Sequence, residues 1–99
     1  MGQVKYQVLP DNTVEEIHTT VVHTFRLGDV EDPDLYAGEP LWKWQESDAG
    51  KFVMEHAKEQ PIWQRQNDPL TYGWKYAILA KLEKKKLSEF YLRFGKVKL

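Results

Sequence analysis

The chain has 99 residues, with 14 lysines and arginines against 15 aspartates and glutamates, three histidines and no cysteine. That length fits one domain spanning residues 1–99. The missing cysteine excludes disulfides, thiolate metal sites and a cysteine nucleophile. Four tryptophans, five tyrosines and four phenylalanines supply the large apolar areas that a small core needs, so the composition is globular and not that of a disordered chain. The near-neutral total hides a split: residues 1–50 carry three basic side chains against ten acidic ones, and residues 51–99 carry eleven against five. Such a split permits a basic binding surface, an acidic partner site or head-to-tail self-association; equally, the halves meet in the fold and their charges mix.

In chain order, Met1 to Pro10 shows no positive region followed by an apolar run, so no signal peptide is expected there. Val4, Tyr6 and Val8 alternate with Lys5 and Gln7, the period of a half-buried strand, and Pro10-Asp11-Asn12 reads as a turn. A longer alternation from Ile17 to Leu27 puts Ile17, Thr19, Val21, His23, Phe25 and Leu27 on one face, and its valines and threonines favour a second strand. The acid-rich stretch Gly28 to Asp34 is a loop. Glu39-Pro40 looks like a helix entrance, and Pro40 to Ala57 is read as one helix, with a second start possible at Ser47 and a possible break near Gly50. The competing reading takes residues 51–57 as a strand with Phe52, Met54 and His56 on one face.

Gln60-Pro61 closes that element, Ile62 to Gln66 is a short strand, and Asn67-Asp68-Pro69 is a turn. Tyr72, Trp74, Tyr76, Ile78, Ala80 and Leu82 then occupy every second position. After Glu83-Lys84-Lys85-Lys86, the positions Phe90, Leu92 and Phe94 alternate again with Glu89, Tyr91 and Arg93, which predicts an antiparallel hairpin with the lysines at its tip. The expected order is β-β-α-β-β-β. The fold class is α+β, mostly β: a five-stranded, strongly bent antiparallel sheet or small barrel of Sm-like or SH3-like type with one helix, bending at Gly73 or Ala80. The longest aliphatic run, Ala77 to Ala80, is far too short to span a bilayer, so no membrane association is expected, and the cytoplasm of a cell or a virus-infected cell is the default compartment.

Searches for chemistry along the chain are mostly negative. His18 and His23, five apart on one strand, are expected on opposite faces and so unable to share an ion. His56 suits a helix C-terminus. No metal and no other cofactor is expected. The acidic loop fails as an EF-hand, because counting from Asp29 the glycine and glutamate positions hold Asp34 and Pro40. Ser47 and Ser88 sit in no nucleophile motif, and the glycines form no phosphate loop. An enzyme is therefore not expected, nor is a small-molecule substrate. The one functional signal is basic: Lys84, Lys85, Lys86 and Arg93, beside Tyr91, could grip single-stranded RNA or DNA, lysines on phosphates and rings on bases. Charged residues also simply guard hairpin tips and sheet edges.

The stretches His23-Thr24-Phe25-Arg26-Leu27-Gly28-Asp29-Val30-Glu31-Asp32-Pro33-Asp34-Leu35-Tyr36-Ala37 and Trp44-Gln45-Glu46-Ser47-Asp48-Ala49-Gly50-Lys51-Phe52-Val53-Met54-Glu55-His56, with Tyr72-Gly73 before an alternating strand, resemble small uncharacterised proteins of tailed marine bacteriophages. That resemblance implies a viral accessory or structural setting and carries no site residues. The likeness to Sm-like domains is architectural only, with no Sm signature in the residues. The leading expectation is thus a non-catalytic binding or assembly module that forms homo-oligomers, with Trp42, Trp44 and Trp63 as candidate interface aromatics. The alternative is a nucleic-acid-binding protein of Sm-like type using the basic C-terminal hairpin.

Overall fold

A computed structural model describes residues 3–12, 14–70 and 72–97. Four strands and three helices follow one another: β1 (Gln3–Val8), β2 (Val14–Gly28), α1 (Pro33–Glu46), α2 (Asp48–His56), β3 (Ile62–Asn67), β4 (Trp74–Glu83) and α3 (Lys84–Phe94). The strands form one antiparallel sheet in the order β1-β2-β4-β3, curled into half a barrel. This corrects the expectation of five strands with one helix. The decisive segment is Leu87 to Phe94. Its alternation of Phe90, Leu92 and Phe94 suggests a strand, but Leu87, Phe90, Tyr91 and Phe94 also recur at helical spacing. The helix buries Leu87 and Phe90 and leaves Leu92 88 % exposed. Lys84-Lys85-Lys86 contains no turn residue and opens α3 directly, so there is no C-terminal hairpin and no basic tip.

The other elements follow local chemistry more closely. Asn12 takes the left-handed backbone (φ 66°) that its turn needs. The helical region starts earlier than Glu39-Pro40: Asp32 precedes it, Pro33 stands at the first position, and Pro40 lies inside α1. The break falls at Ser47, not at Gly50. The Ser47 hydroxyl donates to the Trp44 carbonyl at 2.5 Å and accepts from the Gly50 N–H at 3.1 Å, ending one helix and capping the next. Residues 51–56 are helical, which removes the strand alternative. Gly50 is the residue that makes this corner possible, because a Cβ there would fall 1.7 Å from the Trp44 carbonyl oxygen. Gly73 plays a similar part where β4 begins, with its backbone against that of Gly28.

All three helices cover one face of the sheet. Trp44 from α1, Phe52 and Val53 from α2, and Leu87 and Phe90 from α3 pack on Val22, Ile78, Ala80 and Leu82. The expected face of β4 is the one that is buried. On β2 the alternation changes phase. The register runs Val21 with Leu79 and then His23 with Ile78, so Val22 is an inserted residue and the strand bulges there. Beyond the bulge His23 and Phe25 turn to the helix face, His23 stacking on Trp44 (5.9 Å between ring centres) and Phe25 on Tyr76 (5.0 Å). His18 and His23 therefore share a face, contrary to the simple count. Their partners, Leu82 and Ile78, are still four positions apart on β4, about 13 Å at strand spacing.

The charge split does not create two opposed halves. Lys58 bonds Glu15 at 2.7 Å, Arg65 meets Asp34 at 3.3 Å, and Arg26 bonds Asp68 at 2.8 Å. Each pair joins the acidic half to the basic half. The molecule measures 50 × 24 × 22 Å. Fifteen residues of β2 account for its length at about 3.4 Å each.

Candidate functional site

Beyond Ile17, the last β2 residue in register with β4, β2 continues with β1 as its one strand neighbour. The resulting β1–β2 hairpin projects past the end of the sheet. All six residues of β1 are exposed, so the strand that alternation marks as half-buried has neither face covered. The register places Val4 opposite His18, Tyr6 opposite Glu16 and Val8 opposite Val14. Val4, Tyr6, Val8 and Val14 form one apolar stripe, with Tyr6 69 % and Val8 68 % exposed. The other face carries Gln3, Lys5 and Gln7. One edge of β1 pairs with β2, and its other edge is an outer edge of the sheet, a row of backbone donors and acceptors suited to pairing with another chain.

At the base of this hairpin three charged side chains converge. Glu83 at the end of β4 is the register partner of Ile17, so Glu15, two residues along on the same face of β2, stands beside it. The two carboxyls line one groove as hydrogen-bonding neighbours. Lys58, in the α2–β3 loop, is held there by its backbone N–H on the Lys81 carbonyl (2.8 Å) and bonds Glu15 Oε1 at 2.7 Å. The Glu15 side chain is only 9 % exposed, and its Oε2 has no donor among the described protein groups. The Glu83 carboxyl beside it and the Lys58 ammonium hold Glu15 below the ordinary carboxylate range. Hydrogen bonding to the Glu15 carboxylate and burial push Glu83 above it. A groove of about 310 Å³ lined by Leu9, Val14, Glu15, Glu83, Lys84 and Lys85 opens on one side of the pair. A second, of about 410 Å³ between the hairpin and residues 58–59, opens on the other.

The candidate residues of the sequence do not come together. Trp44 is a core residue, 6 % exposed, and Trp63 is exposed (45 %) with its ring against Tyr76 (5.3 Å between rings). Trp42 is 61 % exposed on the outer side of α1. Lys84, Lys85 and Lys86 occupy the first turn of α3, where no acid faces the helix dipole. Lys86 and Arg93 both meet Glu89 (3.7 and 3.6 Å), and Lys84 approaches Glu16 at 4.0 Å. The sheet aromatics Phe25, Trp63, Trp74 and Tyr76 lie on the helix face by register, away from the open face that could offer rings to bases. Sequence reasoning missed Glu15, Lys58 and Glu83. The one signal for Glu15 is its parity with the buried Ile17, which places an acid on an inward-looking position.

Among the described residues no three histidine or carboxylate side chains gather as a metal ion requires, and no helix is long and apolar enough to cross a membrane. Comparison with protein-family models, curated proteins and solved structures finds no significant match.

Proposed function

We propose that the domain is a non-catalytic assembly module that self-associates by pairing the β1 edges of two copies about a two-fold axis. The observation that carries this reading is the exposure of every residue of β1 on a hairpin that projects from the body. A two-fold axis perpendicular to the sheet keeps side-chain faces matched only in certain registers. With Tyr6 opposite Tyr6 of the second copy, Val4 meets Val8 and Lys5 meets Gln7. Centred on Lys5 instead, the pairing sets two ammonium groups side by side, which repel. The first register joins two four-stranded sheets into one of eight strands and sets the two apolar stripes side by side on one face, where their side chains pack across the new strand pair. Closed two-fold dimers are also the commonest homo-oligomers.

The test is mass in solution. Sedimentation equilibrium from low to high micromolar concentration should show the wild type passing from one chain to two. Tyr6→Lys and Val8→Lys should stay at one chain while keeping the wild-type circular dichroism and melting, because neither side chain packs on the core. A wild type that remains a single chain throughout sinks the proposal.

A further inference from the structure

The hairpin base holds an acid with one of its two oxygens lacking a donor among the described protein groups. Glu15 Oε1 is satisfied by Lys58, but Oε2 is enclosed without a protein hydrogen-bond donor, a costly state for a carboxylate oxygen. Beside it, lining the same groove, is a second carboxyl, Glu83, which stands at the position preceding α3 yet makes no capping bond to that helix. Two ionised carboxylates at this distance repel; one carboxylic acid and one carboxylate attract through a short O–H···O⁻ bond. We infer that Glu15 and Glu83 share one proton, with Glu83 donating to Glu15 Oε2, and that this proton latches the start of β2 to the end of β4.

The groups around the pair fit that assignment. From the α2–β3 loop, Lys58 faces Glu15 directly and fixes it as the ionised partner, while Glu59 turns away to Lys81 (3.0 Å). From β1, Gln7 is the register partner of Glu15 and is neutral, and Lys5 stands opposite Ile17. Lys58 also favours ionised Glu83 and is the main opposing influence, followed by Lys85 from α3, and Lys84 lies toward Glu16, which is itself bonded to His18 at 2.7 Å. The sign follows for each side of the window. Glu83, raised in the folded state, contributes stability at low pH that is lost as pH rises through its folded value. Glu15, lowered in the folded state, contributes stability at high pH that is lost as pH falls through its folded value. The latch is closed between the two.

The inference does not depend on self-association and is tested at concentrations where the chain is a single species. In protein labelled with ¹³C at glutamate, the Cδ resonance of Glu83 should titrate above the ordinary carboxyl range, and in Glu15→Gln it should return to that range. Thermal melting should then separate the roles. Glu83→Gln supplies a permanent N–H donor to Glu15 and should melt with little change across the pH range in which the wild-type Glu83 resonance titrates, while the wild type loses stability over that same range. An ordinary Glu83 titration in folded wild type, or parallel melting profiles for wild type and Glu83→Gln, overturns the latch. The resonance in the wild type decides the matter even where a variant folds poorly.

Discussion

Replacing Gly50 by alanine sets two effects against each other, and the structure says which wins. In an exposed helix interior alanine is more favourable than glycine by about 0.5–1 kcal/mol. Gly38, in α1 with nothing within 4 Å of its Cβ position, is such a site, and Gly38→Ala should stabilise by about that amount. At Gly50 the added Cβ would lie 1.7 Å from the Trp44 oxygen and 2.9 Å from Gln45 Cα. Backbone must move by more than an ångström, and that same Trp44 oxygen receives both the Ser47 N–H and its hydroxyl. Loss of the Ser47 cap costs about 1–2 kcal/mol, and displacing Trp44, Phe52 and Val53 from a filled core costs roughly 1–3 more. Net of the helix preference, Gly50→Ala should lose roughly 2–4 kcal/mol, or about 10–25 °C in Tm for a domain of this size. Urea and thermal melts of the two variants measure it side by side. If Gly50→Ala is neutral or gains stability as Gly38→Ala does, the tight α1–α2 corner is wrong.

Three further outcomes are expected. Changing Lys84, Lys85 and Lys86 together to glutamine removes three cations from the positive end of α3 and gives up the weak Lys84–Glu16 and Lys86–Glu89 pairs; the balance should be a gain of about 0.5–1.5 kcal/mol. Under the assembly reading the wild type shows no salt-sensitive affinity for single-stranded RNA or DNA. Binding that falls steeply with salt and is lost in the triple variant would replace that reading with the nucleic-acid one. His23 is held below its usual range by burial between strand and Trp44, so its contribution is present above its unfolded pKa and lost as pH falls through its folded one. His23→Phe keeps a ring against Trp44 and should lose less stability than the wild type between neutral pH and pH 5, as read by urea melts at each pH.

The strands β1 to β4 were legible because their alternation is a local property: a period of two with valine, threonine and aromatics at the right positions settles a strand before any partner is known. Turn and cap chemistry was equally local, as Asn12 and Ser47 show. The helix α3 was not legible, because Leu87, Phe90, Leu92 and Phe94 satisfy both periods. What chose the helix was the surface already waiting for it, the row of Ile78, Ala80 and Leu82 with Phe52 beside it. That surface exists only once the sheet has formed.

The same distinction governs the candidate sites. Composition and spacing by themselves determined that the chain is cysteine-free and α+β, that its strands carry alternating apolar positions, and that no nucleophile motif lies along it. Three things were decided by tertiary structure alone. The bulge at Val22 turned His23 and Phe25 to the helix face, where a residue count assigns them to the other. The position of β1 at the sheet edge, outside the core cluster, left it bare, although its pattern is that of a covered strand. Glu15, Lys58 and Glu83, far apart in the chain, met because strand register and the Lys58–Lys81 backbone bond bring them to one place. Periodicity reports which residues can share a surface; what then covers that surface depends on where each element ends, and the ends are set by packing between distant segments.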